Sequence, residues 1–468
     1  MGARAQAPAA TGSPRHCCRR GRSELPDLFA HHGRPPGAAG VNERNRRGIA
    51  LGADYRRIWF GNASSNLADG VTFIALPLLA TTITDSPVAV AGLSIAYSLS
   101  RILSVLGIGV LIDRSDRRRL LYLANFSRAG MFAVITGLVL LDAAPIVALY
   151  LVYAVMGIVE TLADSAAVAV LPQAVPPERL DRANSQIAGT QLVIDEFVGP
   201  PLGGFLFAMA AFAPSALNVV ALLAAGFAYW QLRGRYVVAP ADPGDSPGGI
   251  LADIREGAVW AMRHQVVRLL IVVGGIACVG YMIPFSYLVL YTRDELGLDA
   301  TGYGLLLSFS ALGGLLGSFV AARMRKRIGY GWSIVAALIV GAASFVVISL
   351  STNVVVVAIA LAAYIAHAAV WNIMATSVRQ RATPAAMMGR VGSVGRLIGL
   401  IGLAVGAGAG GLLASGFGYR MPFAIAGGFF AVATVLCLAS IGSLRSWEES
   451  EKRAATSSAG ECRVSEFS

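Results

Sequence analysis

Acidic and basic side chains interrupt runs that are otherwise apolar, and these are the residues equipped for chemistry. Asp69 sits among Asn66, Gly70 and Thr72. Glu160 and Asp164 are four residues apart, a spacing that places both on one helix face. Asp195 and Glu196 are adjacent, about 100° apart around a helix, so one of the two faces any shared cavity. Arg101 and Arg128 are the cations at comparable depth. An ionisable group at a bilayer centre costs ~2.5–3.5 kcal/mol on insertion scales, so each of these needs a partner or a task. Two carboxylates on one face of a low-dielectric cavity cannot both stay ionised cheaply. One of such a pair is suited to take up a proton at one face of the membrane and release it at the other. On this reading Asp69, Glu160 and Asp164, with Arg101 and Glu196, carry proton coupling or bind a cationic substrate. A second reading stays open, in which Asp69 and Glu160 are structural partners of Arg101 or Arg128. Asp195 and Glu196 adjoin a bend, where a structural role competes with a cavity role. His367, near Tyr364, Trp371 and Asn372, reads as a packing histidine, with substrate contact as the alternative.

The elements that must position these side chains are membrane spans. The chain has 468 residues, 56% hydrophobic and only 14% charged, and its mean hydropathy is +0.64. Soluble domains carry about 25% charged residues, so an ordinary soluble fold is excluded. Apolar runs long enough to cross a bilayer are expected near 58–82, 88–112, 120–140, 145–170, 185–210, 214–233, 267–291, 301–322, 331–350, 354–378, 393–414 and 420–442. The ~10-residue alternating segments of a membrane barrel are missing. The fold class is therefore an all-α polytopic membrane protein of twelve transmembrane helices.

The net charge of +11 does not point to nucleic acid, because the arginines are concentrated in the connectors. Basic connectors follow spans 2, 4, 6, 8 and 10, while the opposite connectors hold little beyond Arg293 and Arg420. The positive-inside rule then places the even-numbered loops and both termini in the cytoplasm. Gly109 and Gly317, Pro177 and Pro384, and Gly203 and Gly410 are separated by 208, 207 and 207 residues. Three landmarks at one offset indicate two six-helix halves of common plan, the layout that alternating access needs. The expected organisation is a basic tail over residues 1–54, a first bundle over 55–233 and a cytoplasmic central loop over 234–265. A second bundle over 266–442 and a cytoplasmic tail over 443–468 complete it. The five cysteines show no metal-ligand or disulfide spacing.

The connector after span 2 is Gly109-Val110-Leu111-Ile112-Asp113-Arg114-Ser115-Asp116-Arg117-Arg118-Arg119. With its Gly-x-x-x-Asp-Arg-x-x-Arg-Arg pattern and the two-half plan, the sequence resembles the major facilitator superfamily. The resemblance implies that Gly109, Asp113, Arg114, Arg117 and Arg118 latch the two halves at the cytoplasmic face. The second copy keeps Gly317 and a basic cluster but has Ala321 in place of the aspartate. In span 5, Gly199-Pro200-Pro201-Leu202-Gly203-Gly204 looks like the motif of drug:proton antiporters. Its glycines permit close helix approach and its prolines bend the helix, so Gly199, Pro200, Gly203 and Gly204 are read as part of a gate. The segments Leu67–Thr84 and Leu171–Asn184 resemble the bacterial branch that holds enterobactin exporters and macrolide efflux proteins. One departure stands out. Many drug antiporters carry an arginine in helix 4, four residues before a glycine, and here that position is Tyr153, ahead of Gly157.

No His-Glu-x-x-His helix, Gly-x-Ser-x-Gly elbow or Walker-type loop occurs, so neither an enzyme nor an ATP-driven pump is expected. No cofactor and no metal are called for, and the proton gradient is the expected energy source. The sequence reads as a proton-coupled exporter of amphipathic small molecules in a bacterial plasma membrane. Its partners would be a small-molecule substrate, protons and the lipid bilayer, with no nucleic acid, and a monomer is expected. A proton-coupled metabolite importer is the alternative; a non-transporting membrane sensor is more remote.

Overall fold

The computed structural model describes residues 52–107, 115–176, 179–233, 236, 250–451 and 453. Gly109, Asp113 and Arg114 of the signature connector lie outside the described residues, as do the N-terminal tail and the side chain of Asp164. Among the described residues the regular structure is helical, and the chain from Leu51 onward forms one compact unit.

The helices are α1 (Ala53–Ile83), α2 (Pro87–Gly107), α3 (Arg117–Leu140), α4 (Ile146–Ala174), α5 (Leu180–Leu192), α6 (Gly199–Met209) and α7 (Ala213–Trp230). They continue as α8 (Ile250–Arg263), α9 (Gln265–Phe285), α10 (Leu288–Asp294), α11 (Ala300–Leu350), α12 (Val354–Ala382), α13 (Met388–Phe417) and α14 (Met421–Ala439). Polar side chains fix several starts by accepting from orphan backbone N–H groups. Asp116 caps α3 by accepting from the Arg118 N–H at 3.0 Å. Asp299 caps α11 through the Gly302 N–H at 2.7 Å, and Asn353 caps α12 through Val355 at 2.9 Å and Val356 at 3.2 Å.

Eleven described helical elements are long and apolar enough to span a membrane. The difference from the expected twelve lies in α11. Its 51 residues would run ~77 Å if straight, more than twice the ~30 Å of a hydrocarbon core. The backbone breaks at Gly329, with φ 75° and ψ −178°, a conformation that glycine adopts without a Cβ penalty. The expected spans over 301–322 and 331–350 flank this break.

The central loop contains α8, a helix the sequence reading left as loop. Ile254, Ala258 and Ala261 of α8 pack against Val267, Ile271, Val391 and Val394. On the polar side, the Arg390 guanidinium donates to Asp253 at 2.9 Å and Glu256 at 3.0 Å. Short apolar repeats between polar residues are easily read as loop, because the helix is fixed by its docking against α13.

Helices α1, α3, α4 and α7 pack mainly within one group and α9, α11, α12, α13 and α14 within another, while α2 packs on α4 of the first group and on α13 of the second. Two seams join the groups: α2 against α13, and α6 against α11. Both are lined by glycine. A Cβ at Gly411 would sit 2.9 Å from Ala91 Cβ and from Val88 Cα, and one at Gly304 would sit 3.2 Å from Pro201 Cα. These contacts lie at the end of the bundle that holds the α1–α2 turn.

Candidate functional site

The span around Asp195 is built from three pieces, α5, a π-helical segment over Val193–Val198, and α6. The cause is local. Pro200 and Pro201 have no N–H to give to the carbonyls four residues earlier, and the Gly199 N–H donates instead to the Ile194 carbonyl, five residues back. Such single π-turns are uncommon and concentrate at functional sites. The extra residue swings Asp195 toward α1. A Cβ at Gly70 would lie 3.0 Å from the Asp195 carbonyl oxygen and 3.1 Å from Gly199 Cα, so the two backbones touch. The α1–α6 contact continues at Gly203, where a Cβ would meet the Val71 carbonyl oxygen at 3.0 Å.

Two acid–base sets meet beside this contact. The Arg128 guanidinium of α3 donates to Asp69 of α1 and, at 3.1 Å, to Ser65 Oγ. Its side chain is 1% exposed, so this ion pair is buried on the arginine side. The second set joins α2 to α4. Arg101 Nη1 donates to Tyr97 Oη at 2.8 Å, and Tyr97 Oη donates to Glu160 Oε2 at 2.7 Å. Arg101 Nη1 also stands 3.6 Å from Glu160 Oε1. Arg128 is within electrostatic reach of Glu160 and Tyr97, which links the two sets.

Asp69, Arg101 and Glu160, expected on sequence grounds, are thus brought together, and both postulated arginine pairings occur. Tyr97, the relay between Arg101 and Glu160, carried no sequence signal stronger than its helical spacing from Arg101. Glu196 is exposed and within reach of Tyr281 on α9, away from Asp195, which turns to the first group. Asp195 Oδ1 is buried without a hydrogen-bond partner. His367 packs on Tyr364 and Phe430 with Nδ1 3.1 Å from the Tyr364 carbonyl oxygen, remote from these charges.

Tyr153 occupies the position where an antiporter arginine would stand, with its ring edge-on to Tyr97 at 6.1 Å. The cation at this level comes from the neighbouring helix instead. A Cβ at Gly157 would lie 3.1 Å from Ser100 Cβ and 3.4 Å from Arg101 Cγ. Gly157 therefore lets α2 approach closely enough to bring Arg101 beside Glu160.

At the α1–α2 end the two groups are also joined by charge. Arg293 Nη2 of α10 donates to Asp85 of the α1–α2 turn at 2.8 Å, and Nη1 to the Thr81 carbonyl at 3.4 Å. Arg293 also pairs with Asp294 at 2.6 Å. Arg293 was one of two exceptions to the charge alternation, and these partners account for it. At the opposite end a cleft of about 640 Å³ opens between α1 and α5, walled by Tyr55, Trp59, Gln186 and Thr190 and ending at Ile194. Of the signature connector, Arg118 donates to the Trp230 carbonyl at the end of α7, and the Arg117 N–H to the Tyr236 carbonyl at 3.1 Å.

A bundle with buried ion pairs, glycine seams and one closed end is an arrangement that transporters use. The family model for transmembrane secretion effectors, a major facilitator family, matches residues 52–465. The chain belongs to that family. A bacterial homologue of the iron transporter ferroportin, in an inward-facing state, superposes with a TM-score of 0.69 at 18% identity, over 84% of this chain and 99% of that one. The nucleoside transporter NupG gives 0.67 at 9% identity, over 82% and 99%. A peptide transporter, POT, bound to alafosfalin gives 0.66 at 15% identity, over 83% and 94%. These likenesses establish the major facilitator fold, in agreement with the family match. No curated protein sequence matches the chain.

Proposed function

We propose that the chain is a proton-driven exporter of amphipathic small molecules, working by alternating access in a bacterial plasma membrane. The observation that carries this reading is the juxtaposition of the Asp69–Arg128 and Glu160–Tyr97–Arg101 sets at membrane depth. Ionisable groups there are costly, and in transport bundles they mark substrate or proton pathways. Each arginine can release its carboxylate when a proton or a cationic substrate takes its place, so occupancy is exchanged for an ion pair. Arg101, delivered by α2, supplies the cation that Tyr153 does not. Tyr97, Tyr153 and Tyr281 add aromatic surface suited to an amphipathic cation.

The closed α1–α2 end and the cleft at the other support a state open to the side holding the basic connectors, which the positive-inside rule makes cytoplasmic. Both termini then lie in the cytoplasm. The protein acts as a monomer in the lipid bilayer, with the proton gradient as its energy source and no cofactor. Drugs, siderophores and secondary metabolites are the substrate classes that fit.

The test is growth of an efflux-deficient bacterium across a panel of amphipathic compounds, with wild type beside Asp69→Asn and Asp113→Asn. Protection against a subset of compounds by wild type, lost in both variants, is the expected result. A wild-type chain that reaches the membrane and protects against nothing removes the export reading.

A further inference from the structure

The two acid–base sets are internally balanced, Asp69 against Arg128 and Glu160 against Arg101. Asp195 is a further carboxylate in the same place, and no ion pair to it occurs among the described residues. The Gln191 side chain hydrogen-bonds its carboxylate, while Oδ1 stays buried and unpartnered. The charged groups facing it are Asp69 from α1 and Glu160 from α4, with Glu196 beside it on its own turn. All three are acidic. A surplus negative charge in this position is relieved by one small cation, and the cleft that ends at Ile194, one residue away, provides an approach from one end of the bundle.

The backbone carrying Asp195 also has a mechanical connection. Its π-turn rests on Gly70, next to Asp69, through contacts that leave no room for a methyl group. The turn leads directly into Gly199 and Pro200, and α6 then meets the second group of helices. A Cβ at Gly204 would lie 3.1 Å from the Ala300 carbonyl carbon, and one at Gly304 would lie 3.1 Å from that of Pro200. Backbone contact is therefore unbroken from Asp69 and Gly70, through Asp195 and Gly199, to Ala300 and Gly304 across the seam.

From this geometry we infer that Asp195 is the proton-accepting residue that couples the site to the inter-half seam, and that the π-turn is the moving part. A proton from water at the opened seam joins the Asp195 carboxylate, and once the seam has closed it leaves to water in the cleft on the other side. With the proton bound, the repulsion among Asp195, Asp69 and Glu160 is removed and the π-turn settles against Gly70. With the proton lost, repulsion pushes the turn off α1 and loosens the α6–α11 seam. Asp69 and Arg128 then act in substrate exchange, and Glu196 is not needed for the proton.

This inference rests on the transport reading but is tested without a substrate. Hydrogen–deuterium exchange is measured on the full chain in lipid nanodiscs at pH 6 and pH 8, after correction for intrinsic exchange. In wild type the peptides covering 193–209 and 300–304 are expected to exchange at least about threefold faster at pH 8, since one linked proton shifts a local opening by up to tenfold per pH unit. Asp195→Asn is expected to exchange alike at both, and Glu196→Gln to keep the wild-type difference. Asp195→Glu retains an acid on a longer arm, so it guards against a variant that fails to fold, and it moves the midpoint of the response. A wild-type chain insensitive to pH in these peptides, an Asp195→Asn chain that responds like wild type, or an unmoved midpoint in Asp195→Glu overturns the assignment. A chain that shows the full response yet exports no compound loses the export reading and keeps this one.

Discussion

The two groups of helices are built from different material at the same depth. In the first, α1 to α4 bring together Asp69, Arg128, Glu160 and Arg101 around Tyr97, with Arg128 buried and the other three half-buried. In the second, the corresponding interior is aromatic: Phe345, Tyr364, Phe430 and Phe423 pack with centroid separations of 4.4 Å for Phe345–Tyr364 and 5.5 Å for Phe345–Phe430. His367 is a histidine within this interior and packs against the Tyr364 and Phe430 rings. Aromatic contacts change little when a neighbour gains or loses charge, whereas an ion pair rearranges when either partner is neutralised. Under the proposed function, this asymmetry would put exchange of protons and cations in the first group and a firm surface to move against in the second.

The largest test of this contrast is Arg128→Met. Removing one partner of a buried ion pair costs roughly 3–5 kcal/mol, because the other charge is left uncompensated. Thermal unfolding in detergent should show a large fall in Tm, and the double change Asp69→Asn with Arg128→Met should recover most of it. Equal losses in the single and double variants would mean that the pair does not hold α1 to α3.

Next in size is Gly199→Ala, which forces a methyl group against Gly70 Cα at 2.6 Å. Overpacking of this kind costs about 1–3 kcal/mol. Transport should fall more steeply than stability, since the contact lies on the path from site to seam. Retention of full transport would cut that path.

In the second group, His367→Leu should cost only about 1 kcal/mol, the worth of one hydrogen bond, because Nε2 is already unpartnered. Its transport profile against pH should match wild type. A displaced profile would place proton chemistry in both groups and end the contrast.

The smallest effect belongs to the rim. Asp85→Asn removes an ion pair to Arg293 in which Asp85 is 83% exposed, and exposed pairs contribute about 1 kcal/mol or less. Cysteine accessibility at the α1–α2 end should rise by no more than about fivefold, less so at high salt. An unchanged accessibility would make the glycine seams alone responsible for closure.

The spans were legible because a bilayer demands runs of apolar residues whatever the tertiary contacts. The connector arginines were legible as a periodic signal for the same reason. Asp69, Glu160, Arg101 and Arg128 stood out as costly charges, but their pairing was not readable, since Arg128 could have met either carboxylate. Asp195 was harder. Adjacent to Glu196 on an ordinary helix, it had no preferred direction, and only the π-turn that Pro200 and Pro201 impose distinguishes the two. Helix α8 was missed because its register is fixed by docking, whereas the break at Gly329 falls between the spans expected over 301–322 and 331–350.

Buried Arg128 also constrains how the protein is made. Helix α3 presents this arginine to the membrane after α1 has been inserted, and an unpaired cation there costs several kcal/mol. That cost is met only when Asp69 is alongside. Stable burial of α3 is therefore expected only once α1 is in place beside it, so one ion pair couples the assembly of these two spans.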